Sequence, residues 1–582
     1  MPMRPLHHSA LLFFLFLFIP PVQADDLDEF IRQQLRKRNI PGLSLAIIQD
    51  GKIVKAKAYG FTDKSGTTPL TTATLFQAGS ISKSVAAMGA LHLVEAGHLS
   101  LDEDVNTKLR SWKVPNNEFT RDKKVTLRGL LSHTTGLTVH GFPGYEAGSP
   151  LPTLVQILDG TPPANTAPVR VNFEPGTQWR YSGGGYTVMQ LLMEDVTGRP
   201  FPAFMQEAVL EPLGMTGSTY AQPLPADKAA ITATGHLRDR QLVNGRWHIY
   251  PEMAAAGLWT TPTDLARFAI SIQNSFAGKP VGVITQQMTQ QMLTDQKNND
   301  GLGVFLEGEG ASMRFGHNGR DEGFDALMTA GVESGQGAVI MINANDNSRM
   351  LSRIQDAIAK EYHWAGYADP APAKPTAIRI NPSELLAFEG RYELFNNQMI
   401  TFVAGKDRLV TLSDGFPDEE FVPETPTQFV STDRNVQVTF IPGEKGEMRE
   451  VIWKNGRGER KAPRIGPLLH TLKPGADPDP ARTRQIETAL KAISQGGTTL
   501  EKTSGITPGA RKDFAGGTRE LTGLKSLTYI HAENTTGRGI ERHQSPVDQV
   551  IAYKLQTGTG QRYAIVHLTP DGQVTDYDVV DK

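Results

Sequence analysis

Two spacings of apolar residues alternate along this chain. Leu27, Ile31 and Leu35 recur at helical intervals, so an amphipathic helix is predicted from about Asp25 to Arg38, ended by Ile40-Pro41-Gly42. Leu43–Ile48 and Lys52–Tyr59 read as strands, and Asp50-Gly51 between them is a tight-hairpin pair. Val85, Met88, Leu91 and Val94 return to helical spacing and predict a helix from Ser80 to Ala96, with Gly97 as its C-cap. A loop-rich stretch follows Leu99–Asp102. Further helical runs are expected over Thr187–Val196 and from Thr261, an N-cap followed by Pro262 and the capping acid Asp264, to Gln273. Ala326–Ala330 and Ala338–Asn343 are strand-like.

The pattern then breaks at Pro370-Ala371-Pro372-Ala373-Lys374-Pro375, a linker composition. Beyond it, short alternating runs such as Leu409–Leu412, Val436–Phe440 and Val451–Trp453 predict an all-β module. A second break near Lys473-Pro474-Gly475 opens a final unit. Its helix carries Ile486, Leu490 and Ile493 on one face, and strands follow near 525–533, 549–555, 562–568 and 574–578. The expected division is 25–366, a linker over 367–384, a small all-β barrel-like domain over 385–465, and a small α+β domain over 466–582.

Chemistry concentrates at the start of the Ser80 helix. Ser80 and Lys83 are three apart and share a helix face, beside the unpaired N–H groups and positive dipole end of the first turn. A serine becomes a useful nucleophile when a neighbour can take its proton and a nearby site can hold an oxyanion. A chain of this length holds about one Ser-x-x-Lys match by chance, so other segments must support it. Tyr181, after the turn Phe173-Glu174-Pro175-Gly176, precedes Ser182-Gly183-Gly184-Gly185 and is placed at a cleft rim, with the glycines admitting something bound. His317 lies before Asn318-Gly319-Arg320, next to a strand. His133 ends a short apolar helix and reads as a structural hydrogen-bonding group; His531, His543 and His567 are scattered and read as structural too.

Composition narrows the class. Net charge is −3 over 582 residues, with 39% hydrophobic and 21% charged residues, which leaves no basic footprint for nucleic acid. No metal-ligating constellation stands out, and no cofactor is expected. Arg4, the apolar run Ala10–Ile19 and Val22-Gln23-Ala24 read as a secretory signal over residues 1–24, cleaved after Ala24, which implies a periplasmic or secreted protein with no transmembrane segment left. Cysteine is absent, so neither a disulfide nor a lipoprotein anchor is available.

Ser80-x-x-Lys83, Tyr181-Ser182-Gly183 and His317-Asn318-Gly319 occur in an order that resembles the serine β-lactamase-like superfamily. The likeness is to its branch of class C β-lactamases, penicillin-binding carboxypeptidases, D-aminopeptidases and esterases. Leu130–Leu137, Glu211–Met215 and Ala256–Trp259 with Asp264-Leu265 add to it, over about Asp25 to Trp364.

The resemblance implies an α/β (α+β) catalytic domain: an antiparallel sheet flanked by helices, with an all-helical subdomain and the site between them. It also implies Ser80 as acylated nucleophile, with Lys83 and Tyr181 sharing proton transfer and either of them open as the base, Tyr181 once nearby positive charge lowers its pKa. His317 would stand where true class C enzymes carry lysine. The N–H groups of Ser80 and of Arg320, after Gly319, would form the oxyanion hole. Gly183 replaces an asparagine that would contact a substrate acylamide. Both replacements favour an esterase or D-amino-acid peptidase over a β-lactamase or D-Ala-D-Ala carboxypeptidase, because neutral imidazole cannot hold a carboxylate as a permanent cation does. The expected partner is a small-molecule or peptidoglycan-derived substrate. A silent binding protein for cell-wall material is the alternative of another class.

Overall fold

The computed structural model describes residues 26–365 and 378–580, apart from 239, 280–281, 347–348, 396–397, 413–418, 433–435, 444–446, 456–457, 470–471, 515–516, 519–520, 544 and 558–559. The expected signal segment and residues 367–377 of the expected linker lie outside the described residues.

The first helix, α1 (Asp26–Arg38), and the hairpin β1 (Gly42–Gln49) and β2 (Lys52–Gly60) form where the periodicity places them. Strand β1 is buried on both faces and pairs antiparallel with β2 on one side and with β6 (Gly337–Ile342) on the other. The sheet continues through β5 (Phe324–Gly331) and β4 (Arg314–Asp321) to the edge strand β3 (Phe305–Glu307), in the order β2-β1-β6-β5-β4-β3.

Side-chain alternation divides the two faces. Leu43, Leu45 and Ile47 pack with Leu27, Ile31 and Leu35 of α1 and with Ile354 and Ile358 of α5 (Met350–Glu361). Ala46 and Ile48 face the larger core, shared with α2 (Ile81–Glu95) and α4 (Pro262–Phe276). Between β2 and β3 the chain builds the helical part, in which α3 (Gly183–Thr197) shares the larger core with α2. Helix α2 is thus wrapped by sheet and helices and is buried nearly all round, its polar Ser82, Lys83 and Ser84 included.

Residues Gly390–Gly466 form eight antiparallel strands in sequence order, and the first, Gly390–Phe395, also pairs with the last, Gly458–Gly466, closing a barrel. Closure leaves no free sheet edge. The final unit sets helix Pro480–Gln495 on a four-stranded antiparallel sheet of Ser526–Asn534, Gln549–Thr557, Gly560–Leu568 and Val574–Val580. Between barrel and final sheet lies Arg542, which is fully buried. Its guanidinium is 2.6 Å from Glu393 of the barrel, 3.3 Å from Asp576 and 3.6 Å from Asp578. Among the described residues no helix is long and apolar enough to cross a membrane.

Candidate active site

Ser80 sits at the N-cap of α2, where Gly79 and the end of β4 meet. Gly79 has φ +52°, and a Cβ there would lie 2.3 Å from the backbone nitrogen of Arg320. A Cβ on Gly319 would lie 1.9 Å from the Ala78 carbonyl oxygen. Glycine is needed on both sides for this approach, which carries the backbone of Arg320 up to the turn preceding Ser80. The Arg320 side chain is directed elsewhere: its guanidinium grips Asp325 at 2.7 and 2.6 Å.

Lys83, one turn into α2, is 2% exposed. Its ammonium donates to Ser80 Oγ at 3.0 Å and to the Ala255 carbonyl at 2.8 Å. Burial pulls its pKa from 10.5 down to about 7, opposed in part by the carboxylate of Asp321. A lysine here is neutral for a substantial fraction of the time near neutral pH. That state can accept a proton from Ser80.

Tyr181 immediately precedes Ser182, the N-cap of α3, whose Oγ accepts from Gly185 N–H at 2.9 Å. The Tyr181 hydroxyl shares a hydrogen bond with Ser80 and lies 3.4 Å from His317 Nε2. His317 is 7% exposed on β4, and its Nδ1 is 2.6 Å from the Asn318 carbonyl oxygen. Since a carbonyl only accepts, Nδ1 carries the proton and Nε2 presents a lone pair to the phenol. Burial, with the nearby positive charge of Lys83, drives the imidazole pKa down to about 3, so it is neutral under ordinary conditions.

Phe305 of β3 packs on His317 with ring centres 4.8 Å apart and stacks on Tyr181 at 6.2 Å. Trp179 completes this aromatic wall, its indole N–H held by Asp300 at 2.9 Å.

Three segments far apart in sequence therefore converge on Ser80, as their motifs suggest, and the structure corrects several details. The Tyr181 pKa is pushed up rather than down, because burial of the phenol outweighs its hydrogen bond from Ser80. Gly183 and Gly184 form the first turn of α3, so that helix starts earlier than Thr187. Their close approach is to the chain's own backbone: added Cβ atoms would meet His140 O at 3.0 Å and Thr138 O at 2.6 Å. His133 plays its expected structural part, with Nδ1 accepting from Ser182 N–H at 3.0 Å while its ring packs 4.2 Å from that of Tyr181. Asp264 also serves structure, binding Gly217 N–H, Ser218 and Arg267.

Sequence reasoning missed Asp321, the Ala255 carbonyl and Phe305. Asp321 ends β4, is 3% exposed, accepts from the Gly79 N–H and acts on Lys83 through space. Its pKa is raised well above the carboxylate range by burial. The acid's place directly after Gly319-Arg320 was the one available signal.

Residues 27–362 match the model of the family described as Beta-lactamase. The chain belongs to the beta-lactamase family. Esterase EstB of Burkholderia gladioli is 29% identical over 208 residues, 34% of this chain and 52% of the esterase. A penicillin-binding protein of Bacillus subtilis is 22% identical over 442 residues, 73% of this chain and 95% of that protein. The octameric penicillin-binding protein homologue of Pyrococcus abyssi shares the fold with TM-score 0.50 and 22% identity, covering 75% of this chain and 99% of its own. This beta-lactamase-family hydrolase thus combines a catalytic-domain fold of that kind with a closed barrel and a final α+β unit.

Proposed function

We propose that the chain is an exported serine hydrolase that forms an acyl-enzyme on Ser80 and cleaves uncharged esters, or amides of the D-amino-acid type. The observation that carries this reading is the buried Lys83 ammonium 3.0 Å from Ser80 Oγ, with a pKa near 7. Neutral Lys83 takes the Ser80 proton as Oγ attacks the substrate carbonyl carbon. The oxyanion then lies between the N–H groups of Ser80 and Arg320. Tyr181, protonated because its pKa is high, gives its proton to the leaving group and regains one from Lys83. Water next attacks the acyl carbon through the same groups in reverse, releasing the acid.

The substrate class follows from the walls. Neutral His317 and the aromatic rings of Phe305, Tyr181 and Trp179 favour an uncharged, partly apolar group. Arg320 is committed to Asp325, and Gly183 offers no side-chain amide. These features weigh against a class C-like β-lactamase or a D-Ala-D-Ala carboxypeptidase. The esterase among the relatives points the same way.

Incubation with a fluorophosphonate and peptide mapping tests the reading. An adduct on Ser80, lost in Ser80→Ala together with p-nitrophenyl ester turnover, is expected. An unlabelled protein, or equal turnover by Ser80→Ala, refutes it and leaves a protein that only binds cell-wall material. Comparing esters, D-amino-acid amides, D-Ala-D-Ala peptides and a cephalosporin then ranks the substrates.

A further inference from the structure

Beside the segment that carries Tyr181 a pocket of about 530 Å³, open to solvent, is lined by the exposed Lys123 and Lys124 and the half-buried Arg128 and Lys297, together with Ser132, Thr134 and other hydroxyl and backbone groups. None of Ser80, Lys83, Tyr181 and His317 lines it, and neither does any carboxylate. The volume falls in the range of small-molecule sites, about 300–1,000 Å³.

Its charges are unevenly matched. Arg128 is gripped by Asp102 at 2.7 and 2.8 Å and also donates to Gln296 at 3.3 Å. The lysines have no such partner. Lys124 donates to the Thr120 carbonyl at 2.7 Å, and Lys297 to the carbonyls of Gly176 and Thr177 at 3.2 and 2.8 Å. Among the described residues no carboxylate pairs with Lys123, Lys124 or Lys297. Carbonyl oxygens satisfy an ammonium's hydrogen bonds and leave its charge uncompensated. Ser132 and Thr134 add hydroxyls 3.2 Å apart.

We infer that this cavity is a binding site for a phosphate monoester on a polyol or sugar, separate from the hydrolytic site. The reason lies in the kind of cation available. Planar carboxylates are best held by a guanidinium fork, and the only fork lining the cavity is already occupied by Asp102. Ammonium groups are point charges suited to the tetrahedral, doubly charged phosphate, and the hydroxyls can serve both its oxygens and those of a polyol. The volume leaves room for more than a bare phosphate. The same walls hold Tyr181's segment in place: Thr134 O accepts from Gly176 N–H at 2.7 Å, and His133 O from Arg180 N–H at 2.9 Å.

Calorimetric titration of the whole protein at low salt tests this without depending on turnover. Glucose 6-phosphate is expected to bind at least ten-fold tighter than glucose or citrate. Lys123→Gln combined with Lys124→Gln is expected to weaken it about ten-fold, with an unchanged thermal transition. Lys297→Gln provides the same comparison from the opposite wall should the double variant fold poorly. No heat with millimolar glucose 6-phosphate, equal binding of citrate, or full affinity in the lysine variants would overturn the assignment.

Discussion

Replacing Lys83 with methionine, of nearly the same length and volume, separates what the ammonium costs the fold from what it does for chemistry. The gap between 10.5 and about 7, at 1.36 kcal/mol for each pH unit, comes to about 5 kcal/mol held against the folded state wherever lysine is charged. The sign follows from proton counts. Between pH 7 and 10.5 the unfolded chain binds the proton and the folded chain does not, so wild-type stability rises with pH across that window. Below pH 7 both states bind it, and the whole cost is present.

Methionine removes that cost together with the hydrogen bonds to Ser80 and Ala255, which offset part of it at about 1.5–3 kcal/mol each for a charged donor. Lys83→Met is therefore expected to match or exceed wild-type stability at pH 6. Its advantage should shrink by about 1.4 kcal/mol per pH unit above 7. Ester hydrolysis should fall by about 10²–10⁴, the usual worth of a positioned base. Denaturant unfolding at pH 6, 8 and 10 alongside initial rates reads both. A stability difference independent of pH would show that Lys83 stays charged in the fold and would refute the proposed proton acceptor.

Four further outcomes follow from the same geometry. The wild-type kcat/KM should rise with pH through an apparent pKa near 7, and a limb near pH 10 would contradict the burial of Lys83. Asp321→Asn, which removes a carboxyl that in its ionised form holds the Lys83 pKa up, should move that limb to lower pH; an upward move in the pH–rate profile would count against it. Gly319→Ala forces a Cβ to 1.9 Å from Ala78 O, so activity should drop at least about 100-fold as the oxyanion donors separate, measured against a fluorogenic ester. His317→Lys should favour substrates bearing a carboxylate over neutral esters, and an unchanged ratio of kcat/KM values would remove His317 from the specificity argument.

Much of this arrangement is legible in the residues themselves. The Ser80–Lys83 pair declares itself because helical spacing fixes which side chains share a face, and Asp50-Gly51 declares its hairpin because few dipeptides suit that turn. What escaped depends on distant packing. The phenol of Tyr181 moves opposite to expectation because the groups that bury it, His133, His140 and Phe305, arrive from separate segments. The early start of α3 is hidden for a similar reason: three successive glycines discourage a helix locally, and only the 138–140 segment lying against them makes the missing side chains necessary. The barrel's strands could be counted, but its closure joins Arg391 to Gly466 and Tyr392 to Arg464, pairings no local pattern specifies.

Arg542 carries a consequence for how the C-terminal half can be handled. A guanidinium shut away from water and shared between Glu393 on one side and Asp576 and Asp578 on the other makes each side the counter-ion store of its neighbour. Cutting the polypeptide between them would leave Glu393 without its cation in the barrel fragment and Arg542 with only Asp576 and Asp578 in the other. Barrel and final sheet are in that sense a single cassette, to be grafted, deleted or expressed together.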